Sequence, residues 1–350
     1  KNSGEGWLTI PEPTKNLVGG KALWDDLMYH IAEPFTILAS SSLYNDAVSP
    51  LIFCSDRTST VLQTNNPLGD GLIPSTAVGT GDAVEVFRFR VRDPGTTDGL
   101  PTIITQLVFR SFGLPTDVSL SKAIKGLVLR QGDELIPISS TTITSNTITI
   151  SLAIGTLVVP DGEELEVSLG VYLKEGGQID GSTINLYIPA SSHGWQTSSN
   201  GSGFLTVFEA SVVGPVFIID VNATSLTFVE QPFISDPDNA FELKVAATDL
   251  YGNVDKIVDG SATLSLDFGP GSYLVNSHST QFQNGIAVWD DMYLNSQGRY
   301  RFNATTVFDE TANAFTQDIW NGLGFTCMYN ENFDAGYPES FPYSSHWDVS

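Results

Sequence analysis

Two pairs of adjacent aspartates, Asp25-Asp26 and Asp290-Asp291, are the carboxylates that most resemble an acid–base couple. Two such groups flanking a glycosidic bond can split it, one as general acid and the other as base or nucleophile. Both pairs, however, follow a tryptophan (Trp24 and Trp289) inside an apolar run that reads as a β-strand. Neighbouring residues of a strand face opposite sides of the sheet, so the members of a pair cannot flank one bond. A structural role is expected for Trp24, Asp25, Asp26, Trp289, Asp290 and Asp291 alike.

Other residues suit binding better than catalysis. Asp93, Asp98, Asp161 and Asp180 all lie in glycine-rich turns. Of these, Asp93, Asp98 and Asp180 are the candidates for holding Ca2+, a hard cation that collects several oxygen ligands. Their spacing matches no EF-hand loop. Asp-Gly also makes good turns unaided, because Asp tolerates left-handed backbone and bonds its own main chain. Asp249, Asn253 and Asp255 pose the same choice, and there the turn reading is preferred. His193 beside Trp195, in the exposed-looking loop 193–203, is the candidate sugar contact, with the indole stacking on a pyranose face. A lone loop tryptophan serves more often as a packing plug. The histidines at 30, 193, 278 and 346 are scattered without metal-site spacing. No nucleophile elbow, phosphate loop or supported Cys/His pair is found. No residue is assigned to catalysis, and the chain is read as a non-enzyme.

The aspartate pairs belong to a longer internal repeat. Aligned without a gap, residues 20–39 and 285–304 share Gly, Ala, Trp, Asp, Asp and a final Ala, while Leu23 matches Val288, Leu27 Met292, Phe35 Tyr300 and Ile37 Phe302. Self-similarity of this kind marks a modular array rather than one catalytic domain. The earlier copy lacks the first half that precedes the later one. The chain is therefore expected to be an excerpt of a longer tandem protein, cut inside one module.

The elements that must position these residues are strands. With 41% hydrophobic and 16% charged residues, the 350-residue chain reads as folded rather than as an acidic disordered tail. A formal net charge of -24 repels nucleic acid and anionic lipid, and both are set aside as partners. No stretch approaches the roughly 20 apolar residues of a membrane helix. Gly, Thr, Ser, Val and Ile abound, and apolar residues alternate at Phe87, Phe89 and Val91, at Ile148, Ile150 and Leu152, and at Val167, Leu169, Val171 and Leu173. The fold class is all-β, in tandem immunoglobulin-like sandwich modules. Residues 1–56 read as the second half of one module, 57–79 as a linker and 80–220 as a larger sandwich. Residues 221–321 form a complete module, and 322–350 begin a further domain. Cys54 and Cys327 occupy non-equivalent positions in the repeat, and two free thiols are favoured over a disulfide.

The segment Val245-Ala-Ala-Thr-Asp249-Leu-Tyr-Gly252-Asn253-Val-Asp255, followed by Asn284-Gly285-Ile-Ala-Val-Trp-Asp-Asp and Gly298-Arg-Tyr300-Arg-Phe, resembles bacterial immunoglobulin-like repeats of large secreted surface proteins. Residues 80–220 resemble the larger sandwich that precedes such modules in Bacteroidota proteins exported by the type IX route as adhesins, gliding proteins or filaments. Residues 331–349 are similar to the opening strand of jelly-roll domains in that class. The resemblance implies an extracellular or cell-surface stalk, filament element or adhesin spacer. Its partners would be neighbouring modules of the same long chain or other copies of it, with surface glycans and Ca2+ as further candidates. The rival reading is a carbohydrate-binding accessory region of a secreted polysaccharide-degrading enzyme, using the 193–203 loop and the aromatic residues near Trp320 and Trp347.

Overall fold

The computed structural model describes residues 2–95, 98–235, 239–308 and 310–322, apart from the Phe53 side chain. The stretch 323–350, with Cys327, Trp347 and the expected further domain, lies outside the described residues. Among the described residues 49% are in strands and 2% in helix, so the protein is all-β. It divides into two units. One comprises Lys1–Ile73, Ala77–Lys174 and Ser182–Ile218; the other comprises Pro74–Thr76, Glu175–Gly181 and the chain from Ile219 onward.

The first unit is built on two large sheets. One runs Glu134–Ile136, Ile124–Gln131, Glu164–Leu173, Val84–Arg92, Thr60–Gln63. The other runs Ser140–Ile143, Thr147–Ser151, Thr102–Ser111, Thr183–Ile188, Val212–Asp220, Gly71–Pro74. The alternation read at 87–92 is realised: Phe87, Phe89 and Val91 are fully buried, whereas Arg88 and Arg90 reach outward to Glu85 and Glu164. Val86 is buried beside Phe87 because the register slips there. Leu169 faces Phe87 and Gly170 faces Glu85, leaving Val86 as the extra residue of a β-bulge.

Residues 57–79, expected as a linker, supply an edge strand to each sheet instead. Strands of four residues carry too few side chains to show a period of two.

The second unit is an immunoglobulin-like sandwich. Its first sheet runs Ser225–Glu230, Phe241–Thr248, Ile286–Leu294, Tyr273–Leu274. Its second runs Ile234–Ser235, Ile319–Asn321, Gly298–Val307, Ser261–Phe268, Ser279–Gln281, with Thr311–Phe315 also paired to Gly298–Val307. Trp289 fills the middle of the core with Leu243, Met292, Leu264, Tyr300 and Phe302 around it. Each such side chain contributes roughly 1.5–3 kcal/mol by leaving water. Tyr300, near the start of its strand, is fully buried and donates its hydroxyl proton to the Ser296 carbonyl 2.9 Å away. This is the corner device of immunoglobulin-type sandwiches, a tyrosine bonded back to the backbone a few residues upstream.

Candidate functional site

The 193–203 loop, expected to be exposed, is folded inward. Trp195 is 5% exposed and His193 7% exposed. The indole stands edge-on to Phe89, Phe109, Phe204 and Phe208, and its N–H donates to the Val108 carbonyl at 2.8 Å. The His193 ring lies flat on Phe208, centroids 3.9 Å apart. Its Nδ1 accepts the Trp195 backbone N–H at 3.1 Å, which leaves Nε2 to carry the proton toward the Leu205 carbonyl, 2.9 Å away. Burial pushes the imidazole below its ordinary pKa, against an opposing pull from the Leu205 carbonyl. A ring so enclosed has no free face for a sugar, so the sugar-contact assignment of His193 and Trp195 is corrected to core packing.

The candidate cation ligands fall in different units. Asp93 and Asp98 belong to the first and Asp180 to the second. Asp93 is 1% exposed; its Oδ2 accepts the Thr102 hydroxyl at 2.7 Å and its Oδ1 the Gly95 N–H at 3.3 Å. Burial holds this carboxyl above its ordinary pKa, the two hydrogen bonds oppose that shift, and the charges of Asp161 and Asp56 add to it. Asp98 accepts the backbone N–H groups of Leu100 and Asp56, each at 3.1 Å. Asp180 accepts those of Val221 at 3.1 Å and Lys256 at 3.0 Å. Among the described residues no three His, Cys, Asp or Glu side chains gather as metal ligands do.

A further polar network is one that sequence reading treated as an ordinary turn. The buried Asp249 carboxylate accepts the backbone N–H groups of Tyr251 and Asn253 at 2.9 Å, the Asn253 side-chain amide at 2.8 Å and the Ser75 hydroxyl at 2.6 Å. Asn253 Oδ1 in turn accepts the Gln178 N–H, and Asp255 the N–H groups of Ile257 and Ala223. Asp249, Asn253 and Asp255 thus fasten three separate stretches of the second unit to one corner. Their spacing signals a turn; the distant donors leave no mark in the sequence.

The later aspartate pair divides as strand geometry requires. Asp290 is exposed and Asp291 half-buried, its Oδ2 accepting the Asn276 N–H at 2.7 Å. Asp25 is exposed and Asp26 half-buried, in a stretch that forms no strand.

No family model matches the chain, and no curated protein matches it. It is similar to several solved structures. The D00-D0 domain of intimin has 10% identity over 76% of this chain and 100% of its own, with a TM-score of 0.30. The adhesin InvE of Yersinia pseudotuberculosis has 11% identity over 76% and 59%, TM-score 0.24. The major pilin subunit BcpA of Bacillus cereus has 11% identity over 86% and 78%, TM-score 0.22.

Proposed function

We propose that the chain is a non-enzymatic structural segment of an extracellular surface protein, serving as stalk, filament element or adhesin spacer. The observation that carries this reading is the use to which its reactive-looking side chains are put. His193, Trp195, Asp93, Asp98, Asp180 and Asp249 all spend their polar atoms on holding the fold. Long antiparallel ladders, such as Glu164–Leu173 against Val84–Arg92, suit a load-bearing part. The finer placement, among large tandem-module proteins of Bacteroidota exported by the type IX route, rests on the sequence resemblance of residues 80–220 beside the immunoglobulin-like motifs at 245–255, 284–291 and 298–302.

Single-molecule pulling tests the proposal. Discrete unfolding events under load are expected, with no retardation of the chain in polysaccharide gels. Smooth extension without force peaks, or retardation by a glycan, would overturn it. Calcium belongs to the proposal as a stiffening ion for the loop that holds Asp93 and Asp98, where it has to displace the donors described above. The same pulling in calcium and then in chelator tests that part.

A further inference from the structure

The two copies of the repeat match in local structure as well as in sequence. In the second unit, residues 283–286 form a tight turn with Asn284 at φ 51° and Gly285 at φ 78°, closed by paired N–H···O bonds between Gln283 and Ile286. In the first unit, residues 18–21 form the same turn, with Gly19 at φ 57°, Gly20 at φ 79° and paired bonds between Val18 and Lys21. Positive φ at both central residues is the mark of a type I′ hairpin turn. Further along, Phe302 donates its N–H to the Thr316 hydroxyl and accepts the Thr316 N–H, both at 2.9 Å. Ile37 and Ser49 make the same two bonds at the same lengths. The offset of 265 residues that relates 285 to 20 also relates 302 to 37.

Between these matched features the copies diverge. After its turn the later copy continues as the strand Ile286–Leu294, paired along Phe241–Thr248 with Leu243 opposite Trp289. After its turn the earlier copy has no ladder: residues 22–27 belong to no strand. Leu23 is 74% exposed, whereas its counterpart Val288 is half-buried; Leu27 is 36% exposed, whereas Met292 is fully buried. A Cβ on Gly285 would lie 2.3 Å from the Asp255 carbonyl oxygen, yet one on Gly20 meets nothing within 4 Å. Among the described residues the strand Leu38–Ala39 pairs only with Ala47–Val48, while its counterpart in Gly298–Val307 has Ser261–Phe268 on the other edge.

We propose that residues 21–27 and 37–40 are an open seat for a pair of β-strands with the apolar alternation of Phe241–Thr248 and Ser261–Phe268. The pair docks antiparallel, with a leucine opposite Trp24 and an aliphatic residue opposite Ile37. The second unit defines what this occupant must be, because there the same turn and clasp are completed by those two strands. A second copy is disfavoured as donor, since its own pair is already held by Ile286–Leu294 and Gly298–Val307. The inference goes beyond the load-bearing reading and stands or falls separately from it.

The test is hydrogen exchange on the whole chain, with and without a synthetic peptide of residues 239–268. Exchange at residues 22–27 and 38–39 is expected to slow by about tenfold or more as their amides enter a ladder. Leu27→Asp should abolish the slowing while leaving exchange across 286–294 unchanged. A peptide carrying aspartate at the positions of Leu243 and Val245 should have no effect. Unchanged exchange at millimolar peptide would overturn the proposal. So would slowing at 22–27 that depends on chain concentration alone, which would make a second copy the occupant.

Discussion

Trp195 donates its indole N–H to the carbonyl oxygen of Val108, inside a cluster of phenylalanines. The bond joins the 193–203 loop to the long Thr102–Ser111 strand, and both partners are buried. Replacing Trp195 with Phe keeps much of the apolar contact but strands the Val108 carbonyl, at a cost of about 1–3 kcal/mol. Trp195→Ala adds a cavity and should cost about 3–5 kcal/mol. Urea midpoints of the two variants check the order. Migration in polysaccharide gels should not change with either.

His193 makes the same loop sensitive to acid. Its imidazole is neutral in the fold because Nδ1 already accepts the Trp195 N–H and Phe208 covers the ring. Its folded pKa lies below the ordinary value of 6.5, so below that pH the unfolded chain binds the proton more readily. This contribution to stability is complete above pH 6.5 and is lost as pH falls through 6.5 toward the folded pKa. Denaturant midpoints measured from pH 8 to pH 5 should decline for the native chain. They should decline less for His193→Gln, which has no proton to gain.

Asp249 should be the most costly single carboxylate to remove. Asp249→Ala leaves two backbone N–H groups, the Asn253 amide and the Ser75 hydroxyl without their acceptor, in a place that water does not reach. A loss of about 3–5 kcal/mol is expected. Ser75→Ala removes one donor and leaves the other three in place, so about 1 kcal/mol is expected. Exchange of the Tyr251 and Asn253 amides should accelerate strongly in the first variant and little in the second.

Where one face of a long strand is wet, the sequence reveals it: Phe87, Phe89 and Val91 alternate with arginines that reach carboxylates. The extra residue at Val86 is invisible, because a bulge is set by how the Glu164–Leu173 strand pairs and not by local pattern. The loop at 193–203 misleads for a related reason. Its Ser, Gly and Asn content suggests solvent, yet Trp195 and His193 are drawn in by the aromatic cluster built from distant strands. The Trp-Asp-Asp repeat was legible as a repeat. That Trp289 sits in a ladder while Trp24 does not depends on which strands lie alongside, and that information is not within the repeat.

Asp93→Asn separates a structural carboxylate from a cation ligand. The asparagine keeps an oxygen for the Gly95 N–H, and its amide can donate to Thr102, whose hydroxyl already lies 2.6 Å from that of Ser59. The substitution also removes a buried charge that Asp161 and Asp56 oppose. The folded pKa of Asp93 lies above the ordinary 3.8, so its contribution is most favourable below 3.8 and is lost as pH rises through the folded pKa. At pH 7 without calcium the variant should therefore unfold at a denaturant concentration equal to or higher than the native chain. The difference should vanish as pH falls below 3.8 and the native carboxyl becomes protonated. Calcium in excess decides the remaining question: a ligand role makes the native chain the more stable of the two, because its charged carboxylate binds the ion more tightly than the neutral asparagine oxygen does, whereas a purely structural role leaves the order unchanged.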